Sequence, residues 1–256
     1  LTAALTVADA NVGVLVLERD AVPQGSTALS SGMIPACETK IQAALGVGDT
    51  VDIMTADILS KAHGETDEAM VRAIAAESGP AIDWLVDDHN IELTLVEGFL
   101  YPNHSQLRMH APVSRTGADL IGSFSRAAEN AGIDILTEAQ VVDLYADEVG
   151  RIAGVRLVRP DGTEERIGCE ALILACNGFG GNAEMIAQLI PEMSDANYFG
   201  HTGNQGDAIT WGEALGAAMA DLGSFQGHGS VAHPHGILIS WALMMQGGFQ
   251  VNVTGK

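Results

Sequence analysis

The apolar positions at the start of the chain follow a helical period and then change to a continuous run. One helix face is indicated by the apolar residues Leu1, Ala4, Leu5 and Ala8. Asn11 and Gly13 interrupt this period, and residues 14–17 form a short apolar run that ends at Glu18. The pattern therefore predicts a helix followed by a short buried strand.

Helical periodicity returns in the middle and later parts of the chain. Asp49 and Thr66 are the expected N-caps of the first two of these helices. No confident element is predicted between Ile91 and Pro112, where the apolar signal is mixed with a polar, His-containing stretch. The predicted helices are residues 49–63, 66–89, 116–131, 183–190 and 206–219.

Between these helices the apolar period shortens to that of strands. Strand-like runs occur at residues 133–136, 139–145, 152–159 and 165–167. AspGlyThr at 161–163 is typical of a hairpin turn, so a small antiparallel meander is predicted. The apolar content of Glu170 to Cys176 predicts a buried strand, and residues 247–256 resemble a strand that enters a turn.

Composition narrows the possible partners. The chain has 256 residues, 47% of them hydrophobic, and 30 glycines, which suits one large or two modest domains of α/β type. Twelve basic residues against 33 acidic ones give a net charge of −21, which disfavours nucleic acid and anionic membrane surfaces. The longest apolar stretch near the C-terminus, residues 236–245, is about half of the ~20 residues that a membrane span needs.

The cysteines indicate neither a disulfide framework nor a metal site. Cys37, Cys169 and Cys176 are odd in number and lack the CxxC spacing of zinc ligands. Reduced thiols and a cytoplasmic location are therefore expected, and no metal-binding residues are predicted.

The position of Glu18 suggests a dinucleotide site. An acidic residue at the end of the second strand of a βαβ unit accepts hydrogen bonds from adenosine ribose hydroxyls. The glycine fingerprint of such a unit would lie just before Leu1, so the sequence is expected to be a fragment. Residues 19–33 follow as a loop rich in Gly, Ser and Thr, with too little periodicity for a helix or strand. Small residues of this kind let a ligand approach the backbone closely.

Four features in fixed order carry a family resemblance. They are the helix and strand ending at Glu18, the GlySerThrAlaLeuSerSerGlyMet loop at 25–33, LeuIleLeuAlaCysAsnGlyPheGlyGlyAsn at 172–182 and GlyAsp at 206–207. Together they resemble the flavoprotein subunit family of fumarate reductase and succinate dehydrogenase, which includes soluble fumarate reductases and 3-ketosteroid dehydrogenases. The resemblance implies an α/β, glutathione-reductase-like FAD-binding domain of Rossmann type with a small antiparallel meander. It further implies a domain division into an FAD-binding domain, residues 1–225, and the start of a substrate-capping domain, residues 226–256.

The resemblance also implies roles for particular residues. Glu18 matches the ribose-binding acid, the 26–32 loop matches the contacts to pyrophosphate, ribityl chain and flavin, and Val141 matches a backbone contact to adenine, although it could equally be a plain core valine. Backbone N–H groups and hydroxyls on small residues can stabilise phosphate without lysine. The implied cofactor-binding residues are Glu18, Arg19, Ser26, Thr27, Ser30, Ser31, Gly32, Val141, Ala175, Cys176, Asn177, Gly178 and Asp207.

The segment ending at Gly178 departs from the family's ATGGF pattern. Cys176 and Asn177 replace the usual Thr and Gly, and Asn tolerates the positive φ that the turn requires. Cys176 is expected to be a buried structural cysteine beside the cofactor rather than a redox thiol. Asp207 matches an FAD-contacting aspartate at the start of a helix, and it could also cap that helix.

His228 is the catalytic candidate that the resemblance implies. It lies 21 residues after Asp207 in a Gln-x-His context, as does the family's substrate-binding histidine. HisGlySer stands here where the family has HisProThr, so His233 and His235 are alternatives. Each of these histidines could instead be structural.

The proton relay of the fumarate reductases is not matched. Trp241 and Met244 stand where the family has an acidic residue and an arginine, and neither side chain shuttles protons. The family's catalytic arginine lies beyond Lys256, so this chain alone is expected to be inactive. The tyrosine acid and base of the ketosteroid enzymes cannot be placed, and Tyr101 is better explained as a loop aromatic.

The resemblance implies an FAD-dependent oxidoreductase acting on CH–CH groups, with hydride transfer between flavin and a C–C bond adjacent to a carbonyl or carboxylate. Alternatives are a 3-ketosteroid Δ1-dehydrogenase-like enzyme and a non-catalytic dinucleotide-binding domain. Non-covalent FAD is expected, because residues 25–28 contain no histidine where covalent members carry one. The expected partners are a small-molecule substrate and an electron donor or acceptor, without nucleic acid or a membrane span.

Overall fold

The computed structural model describes residues 1–227, 230–232, 237–239, 243–244, 247–252 and 254–256. The helices in these residues are α1 (Thr2–Asp9), α2 (Gly25–Leu29), α3 (Lys40–Ala44), α4 (Val51–Ala62), α5 (Glu68–Asp87), α6 (Gly117–Asn130), α7 (Ala183–Leu189) and α8 (Asp207–Ala214), with a 3-10 helix at Pro191–Met193. The strands are β1 (Leu15–Leu17), β2 (Ile34–Pro35), β3 (Thr94–Leu95), β4 (Met109–Ala111), β5 (Asp134–Leu136), β6 (Gln140–Ala146), β7 (Ile152–Val158), β8 (Glu164–Gly168), β9 (Val231–Ala232) and β10 (Ile237–Leu238).

The chain forms two compact units. The first consists of Leu1–Ser30 and Thr116–Ser224, and the second of Ser31–Arg115 and Phe225–Lys256. These units are defined by contacts within each one, whereas the predicted division at residue 225 is a functional one and stays a prediction.

A short parallel sheet lies in the first unit. Leu15, Val16 and Leu17 of β1 pair with β5, and α1 and α2 pack against α6. This pairing corrects one detail of the prediction, because residues 133–136 join β1 in parallel and do not belong to the antiparallel meander. β1 is also less buried than its apolar run indicated, since Leu15 is 42% exposed.

The predicted meander is confirmed for the three strands that follow. β6 pairs with β7 and β7 with β8, both antiparallel. β7 is the central strand of the three, and Val155 and Leu157 on it are buried. Arg159 is anchored at the hairpin end, where its Nη1 donates to the Thr137 carbonyl at 2.8 Å.

Three elements of the first unit differ from the sequence prediction. The loop predicted over 19–33 contains α2, a helix of five residues. The strand predicted over Glu170–Cys176 does not form, because no described strand pairs with it, and Ile173 is 59% exposed. α8 ends at Ala214, five residues before the predicted end at 219, because Gly216 has a φ of 82° that a continuing α-helix does not allow.

The second unit pairs β4 with β2 on one side and β3 on the other, both antiparallel. β3 and β4 lie in the stretch for which no element was predicted, because strands of two or three residues leave almost no periodic signal. At the far end of this unit, the described residues of the predicted 247–256 strand form none.

The two predicted helices of the second unit are confirmed as α4 and α5, but their caps are shifted by one residue. Thr50 caps α4 by accepting from the Ile53 N–H, and Asp67 caps α5 by accepting from two backbone N–H groups. α4 and α5 pack together around Cys37, Met54 and Ala75. Asp49, the predicted cap, is instead buried in an ion pair.

That ion pair is part of a buried polar network. Arg108 contacts both Asp49 and Asp57, and Gln42 Nε2 donates to Asp49 Oδ2 at 3.2 Å. Burial has the largest single effect on the pKa of Asp57 and acts to raise it. The hydrogen bonds from Ser105 and the charge of Arg108 together outweigh burial and hold this pKa below its ordinary value. The network therefore pairs the buried charge of Arg108 with one buried and one partly exposed carboxylate.

His110 extends this network. It is fully buried, its Nδ1 donates to the Arg108 carbonyl at 3.0 Å, and its Nε2 lies 2.9 Å from Thr39 Oγ1. Because a carbonyl only accepts, the proton is on Nδ1 and the Thr39 hydroxyl donates to Nε2. Burial lowers the pKa of His110, so the ring stays neutral.

Candidate functional site

The end of β1 carries the predicted ribose-binding acid. The Glu18 backbone N–H donates to the Leu136 carbonyl, and its carbonyl accepts from the Ala139 N–H at 2.8 Å. One carboxylate oxygen, Oε1, accepts from the Asp20 N–H at 2.9 Å. The half-buried carboxylate is thus held at the strand end.

Arg19 and Asp20 hold a distant loop against this strand end. Arg19 Nη1 donates to the Gly203 carbonyl at 3.1 Å, and His201 Nε2 lies 2.8 Å from Asp20 Oδ2. His201 Nδ1 accepts from the Gly203 N–H at 3.0 Å, so the ring proton is on Nε2 and points at the carboxylate. Arg19 and His201, the two side chains at this strand end that can carry a positive charge, are therefore both hydrogen-bonded to protein atoms.

Ser26 connects the small-residue loop to the same distant segment. Its Oγ accepts from the His201 backbone N–H at 3.0 Å and from Asn204 Nδ2 at 2.9 Å. Asn204 Nδ2 also lies 2.6 Å from Tyr198 Oη. Residues about 175 positions apart in the sequence therefore meet in one hydrogen-bonded cluster.

The segment that contains Ser26 forms α2, which packs against α6. Thr27 is exposed, and its carbonyl accepts from both the N–H and the hydroxyl of Ser30. The Ser30 carbonyl in turn accepts from the Gly117 N–H at 2.8 Å. A Cβ at Gly117 would overlap the Thr27 carbonyl oxygen, so the two helices approach this closely only because Gly117 has no side chain.

The turn at Asn177 has the backbone conformation that the sequence predicted. Asn177 has a φ of 64°, and its Oδ1 accepts from the Gly178 N–H at 2.8 Å. The Gly178 carbonyl accepts from the Gly206 N–H at 3.1 Å, which joins this turn to the start of α8. The GlyPheGly motif at 178–180 and the GlyAsp motif at 206–207 are therefore adjacent.

Cys176 is not the buried cysteine that was predicted. It and Ala175 are exposed, because the extended segment around them pairs with no described strand. Desolvation of the sulfur raises the pKa of the thiol, and the Asp207 charge raises it further, whereas a hydrogen bond from the Ala208 N–H opposes both. The thiol is thus kept protonated.

Asp207 is the first residue of α8, as expected for the family's FAD-contacting aspartate. Gly206, with a φ of 85°, occupies the N-cap position, so the alternative that Asp207 is itself the cap is wrong. An aspartate in the first turn still complements the helix dipole.

The other predicted residues belong to the meander, to the second unit or to the part of the chain that the structure does not describe. Val141 is in β6 opposite Leu157. Ser31 and Gly32 belong to the second unit, where Gly32 has a φ of 64°. Tyr101 lies in a loop of that unit, with its ring 5.7 Å from that of His104. The histidine candidates His228, His233 and His235 and the relay position Trp241 lie outside the described residues, whereas Met244 is described.

Sequence reasoning missed three residues of the cluster: Tyr198, His201 and Asn204. Each lies in an irregular segment, where neither periodicity nor a motif marks it. The available signal was the density of glycines at 200, 203 and 206 just before α8, which is typical of a loop that packs closely.

The residues at this site fit the FAD that the resemblance implies. A carboxylate stands at the strand end for a ribose, a serine hydroxyl sits in an α2 held close to α6, and Asn177 supplies the left-handed turn. Across the part of the chain that the structure describes, no group of three His, Cys, Asp or Glu residues could hold a metal ion. Nor does any described helix combine the length and the apolar character that crossing a membrane requires.

Comparison with known proteins points to one family. The family model described as FAD binding domain matches residues 1–256. The chain is 28% identical over 262 residues to the NADH:fumarate oxidoreductase of Klebsiella pneumoniae (strain 342), an alignment that covers 100% of this chain and 28% of the relative.

Solved structures agree with this. The open conformation of a flavocytochrome c3 fumarate reductase superposes with a TM-score of 0.86 at 27% identity, covering 94% of this chain and 43% of that one. The 3-ketosteroid-Δ4-(5α)-dehydrogenase from Rhodococcus jostii RHA1 has a TM-score of 0.78 at 24% identity, over 87% of this chain and 53% of that one, which shows a shared fold. The chain thus spans about a quarter to about half the length of these proteins.

Proposed function

Since this chain belongs to the FAD binding domain family, we propose that the full protein is an FAD-dependent oxidoreductase that acts on CH–CH groups. The reaction is hydride transfer between the flavin and a C–C bond adjacent to a carbonyl or carboxylate. The similarity to a protein named NADH:fumarate oxidoreductase and to a flavocytochrome c3 fumarate reductase supports this substrate class.

The observation that carries the proposal is the cluster at Ser26. Its hydrogen bonds to His201 and Asn204 place the small-residue loop beside the segment that leads into Asp207. Arg19 holds that segment to the strand end that bears Glu18. Segments about 180 residues apart in the sequence are thereby joined by hydrogen bonds, which supports a dinucleotide site built from them.

The roles proposed for individual residues follow from their groups. Glu18 accepts the adenosine ribose hydroxyls, and Ser26, Thr27, Ser30, Ser31 and Gly32 contact the pyrophosphate, the ribityl chain and the flavin. Val141, Ala175, Cys176, Asn177 and Gly178 provide backbone contacts on the adenine and flavin side, and Asp207 contacts FAD from the start of α8. Bound FAD supplies the hydride chemistry, and the protein positions the substrate and excludes water.

His228 is proposed as the substrate-binding residue, with its imidazole hydrogen-bonded to the substrate carbonyl or carboxylate. Trp241 and Met244 at the relay positions favour a substrate and a proton path different from those of a standard fumarate reductase. The same observation, together with the SerThrAlaLeuSer loop, favours a 3-ketosteroid Δ1-dehydrogenase-like activity as the second candidate.

The proposal also covers how FAD is attached to the protein. We propose non-covalent FAD, since residues 25–28 are Gly, Ser, Thr and Ala and offer no histidine for a flavin bond. Precipitation with trichloroacetic acid should leave the flavin in the supernatant, and flavin in the pellet would contradict this.

The electron donor or acceptor is a separate partner, and a cytoplasmic location is consistent with the three free cysteines. The division into an FAD-binding domain over 1–225 and a capping domain from 226 belongs to the same proposal.

The natural full-length protein provides the test. It should purify with a flavin spectrum, and steady-state assays should show turnover with fumarate or with 4-androstene-3,17-dione. Glu18→Gln should weaken FAD binding roughly tenfold, because an amide oxygen is a poorer acceptor than a carboxylate. Asp143→Asn removes a comparable acid on the meander and should change nothing. A full-length protein that neither carries nor binds FAD would overturn the proposal.

A further inference from the structure

Asn204 orients two hydroxyl groups that lie far apart in the sequence. It is buried, with 7% of its surface exposed, and its side-chain nitrogen contacts Ser26 Oγ at 2.9 Å and Tyr198 Oη at 2.6 Å. A carboxamide nitrogen has two hydrogens and no lone pair to offer, so one hydrogen points to each hydroxyl oxygen. Asn204 therefore acts as a donor to both.

This arrangement determines how Ser26 can bind a ligand. A serine oxygen has two lone pairs, and here the His201 backbone N–H and Asn204 occupy both. The remaining capacity of Ser26 is its own hydroxyl hydrogen. Ser26 can therefore only donate to a ligand, and the ligand atom must be an acceptor.

Tyr198 is placed in the same way. Its oxygen accepts from Asn204, which leaves its hydroxyl hydrogen to donate outward. Gly180 and Gly200 lie directly against the tyrosine, since a Cβ on either glycine would overlap its side chain. The residue is 45% exposed, so a ligand can reach it although its position is constrained.

The charges around the two hydroxyls favour neutral donors for an anionic ligand. Arg19 is engaged with the Gly203 carbonyl and lies 3.6 Å from Asp20, and His201 is bonded to the same aspartate. Glu18 adds a further negative charge at this end. Hydroxyl and backbone N–H groups therefore supply the neutral donors for phosphoryl oxygens here, beside the guanidinium hydrogens of Arg19 that the Gly203 carbonyl does not accept.

We propose that Ser26 and Tyr198 form a phosphate-binding hydroxyl pair, oriented by Asn204, that donates to the pyrophosphate of the cofactor. Tyr198 is then a cofactor-binding residue and Asn204 a positioning residue. This inference rests on the proposed function, because it takes FAD as the ligand. It adds that the pyrophosphate is recognised by two hydroxyl hydrogens whose direction a buried amide determines.

The test is Tyr198→Phe in the natural full-length protein, with FAD, ADP and adenosine as probes of the flavin-free form. Loss of one hydrogen bond to a charged group should weaken FAD and ADP binding by roughly tenfold and leave adenosine binding unchanged. Tyr145→Phe is the matched control, since this tyrosine lies on the meander near Arg166, and it should leave all three affinities unchanged.

Ser26 and Asn204 supply a second arm. Ser26→Ala should reproduce the selective loss of FAD and ADP binding, and Ser26→Thr, which keeps a hydroxyl, should restore it. Asn204→Asp should weaken FAD and ADP as well, because a carboxylate only accepts and turns both hydroxyl hydrogens inward. Thermal unfolding of each flavin-free variant shows whether the fold is retained.

Two results would overturn the hydroxyl pair while leaving the FAD proposal intact. One is unchanged FAD binding in folded Tyr198→Phe and Ser26→Ala. The other is an equal loss for ADP and adenosine, which a general structural defect would cause. Failure of the unsubstituted protein to bind either FAD or ADP would overturn both proposals together.

Discussion

Arg108 and Asp49 form a two-point ion pair that is closed to solvent. Nε and Nη2 of the guanidinium each lie 3.0 Å from a different oxygen of the carboxylate. The two side chains are 1% and 0% exposed. Two charges without water interact strongly, and each is costly to leave alone.

The first prediction concerns this pair. Asp49→Ala should lower the free energy of unfolding by about 3–5 kcal/mol, because it leaves the buried guanidinium with Asp57 alone. Urea unfolding followed by circular dichroism measures the effect. Asp52→Ala is the matched control, since Asp52 pairs with Arg72 at 2.7 Å but is 82% exposed, and it should change the free energy of unfolding far less than Asp49→Ala does. Equal losses in the two variants would show that burial of the pair is not the reason for its importance.

The second prediction compares two glycines of α6. Gly117→Ala introduces a methyl group into the Thr27 carbonyl and should destabilise the protein by about 1–3 kcal/mol, because backbone must move to accommodate it. It should also expose the 25–30 loop to proteolysis. Gly122→Ala in the same helix meets only the Arg126 guanidinium at 3.5 Å, and it should stabilise the helix by up to about 1 kcal/mol. Limited proteolysis and urea unfolding report both effects, and a stabilised Gly117→Ala variant would contradict the close approach of α2 to α6.

The third prediction concerns pH. Burial lowers the pKa of His110 and of His104 below the ordinary value of 6.5, so the unfolded chain binds more protons than the folded one below that pH. The stability that the neutral rings contribute is complete above pH 6.5. As the pH falls below that value, the free energy of unfolding decreases by at most about 1.4 kcal/mol per pH unit for each histidine. The ionised Asp57 carboxylate also stabilises the folded protein, because its pKa is lowered on folding. This contribution is lost in a more acidic range, as the pH falls below about 3.8.

Unfolding free energies measured from pH 7.5 to about pH 5 test this. His110→Gln should reduce the slope, whereas His63→Asn, at an exposed helix end, should leave it unchanged. A slope that is the same in both variants would indicate that His110 does not contribute.

The helices and the meander were predictable because their signal is local. α1, α4, α5 and α6 each bury one face, which leaves a period in the sequence that a reader can detect. The predicted cap at Asp49 was wrong by one residue, because Asp49 pairs with the buried Arg108 and Thr50 caps α4 instead. The five-residue α2 could not be predicted, because its stability comes from contact with α6 rather than from its own residues.

The residues of the candidate site, too, were predictable only where their signal is local. Glu18, Asn177 and Asp207 were recognisable because each stands at an end of an element or in a turn with its own local signature. Cys176 was wrongly expected to be buried, since an apolar run predicts burial only if another strand pairs with it. The assignments of His228 and of the cofactor contacts remain predictions.

The sequence by itself determined the FAD-binding family, the α/β class and the positions of the longer helices and of the meander, because motif order and apolar period are properties of neighbouring residues. The tertiary structure decided which residues act together. Ser26 and Asn204 carry no shared motif, and their hydrogen bond exists only because α2 and the loop before α8 are brought to the same place. A hydrogen bond of 2.9 Å between residues 178 positions apart depends on the packing of whole elements, which no local pattern records.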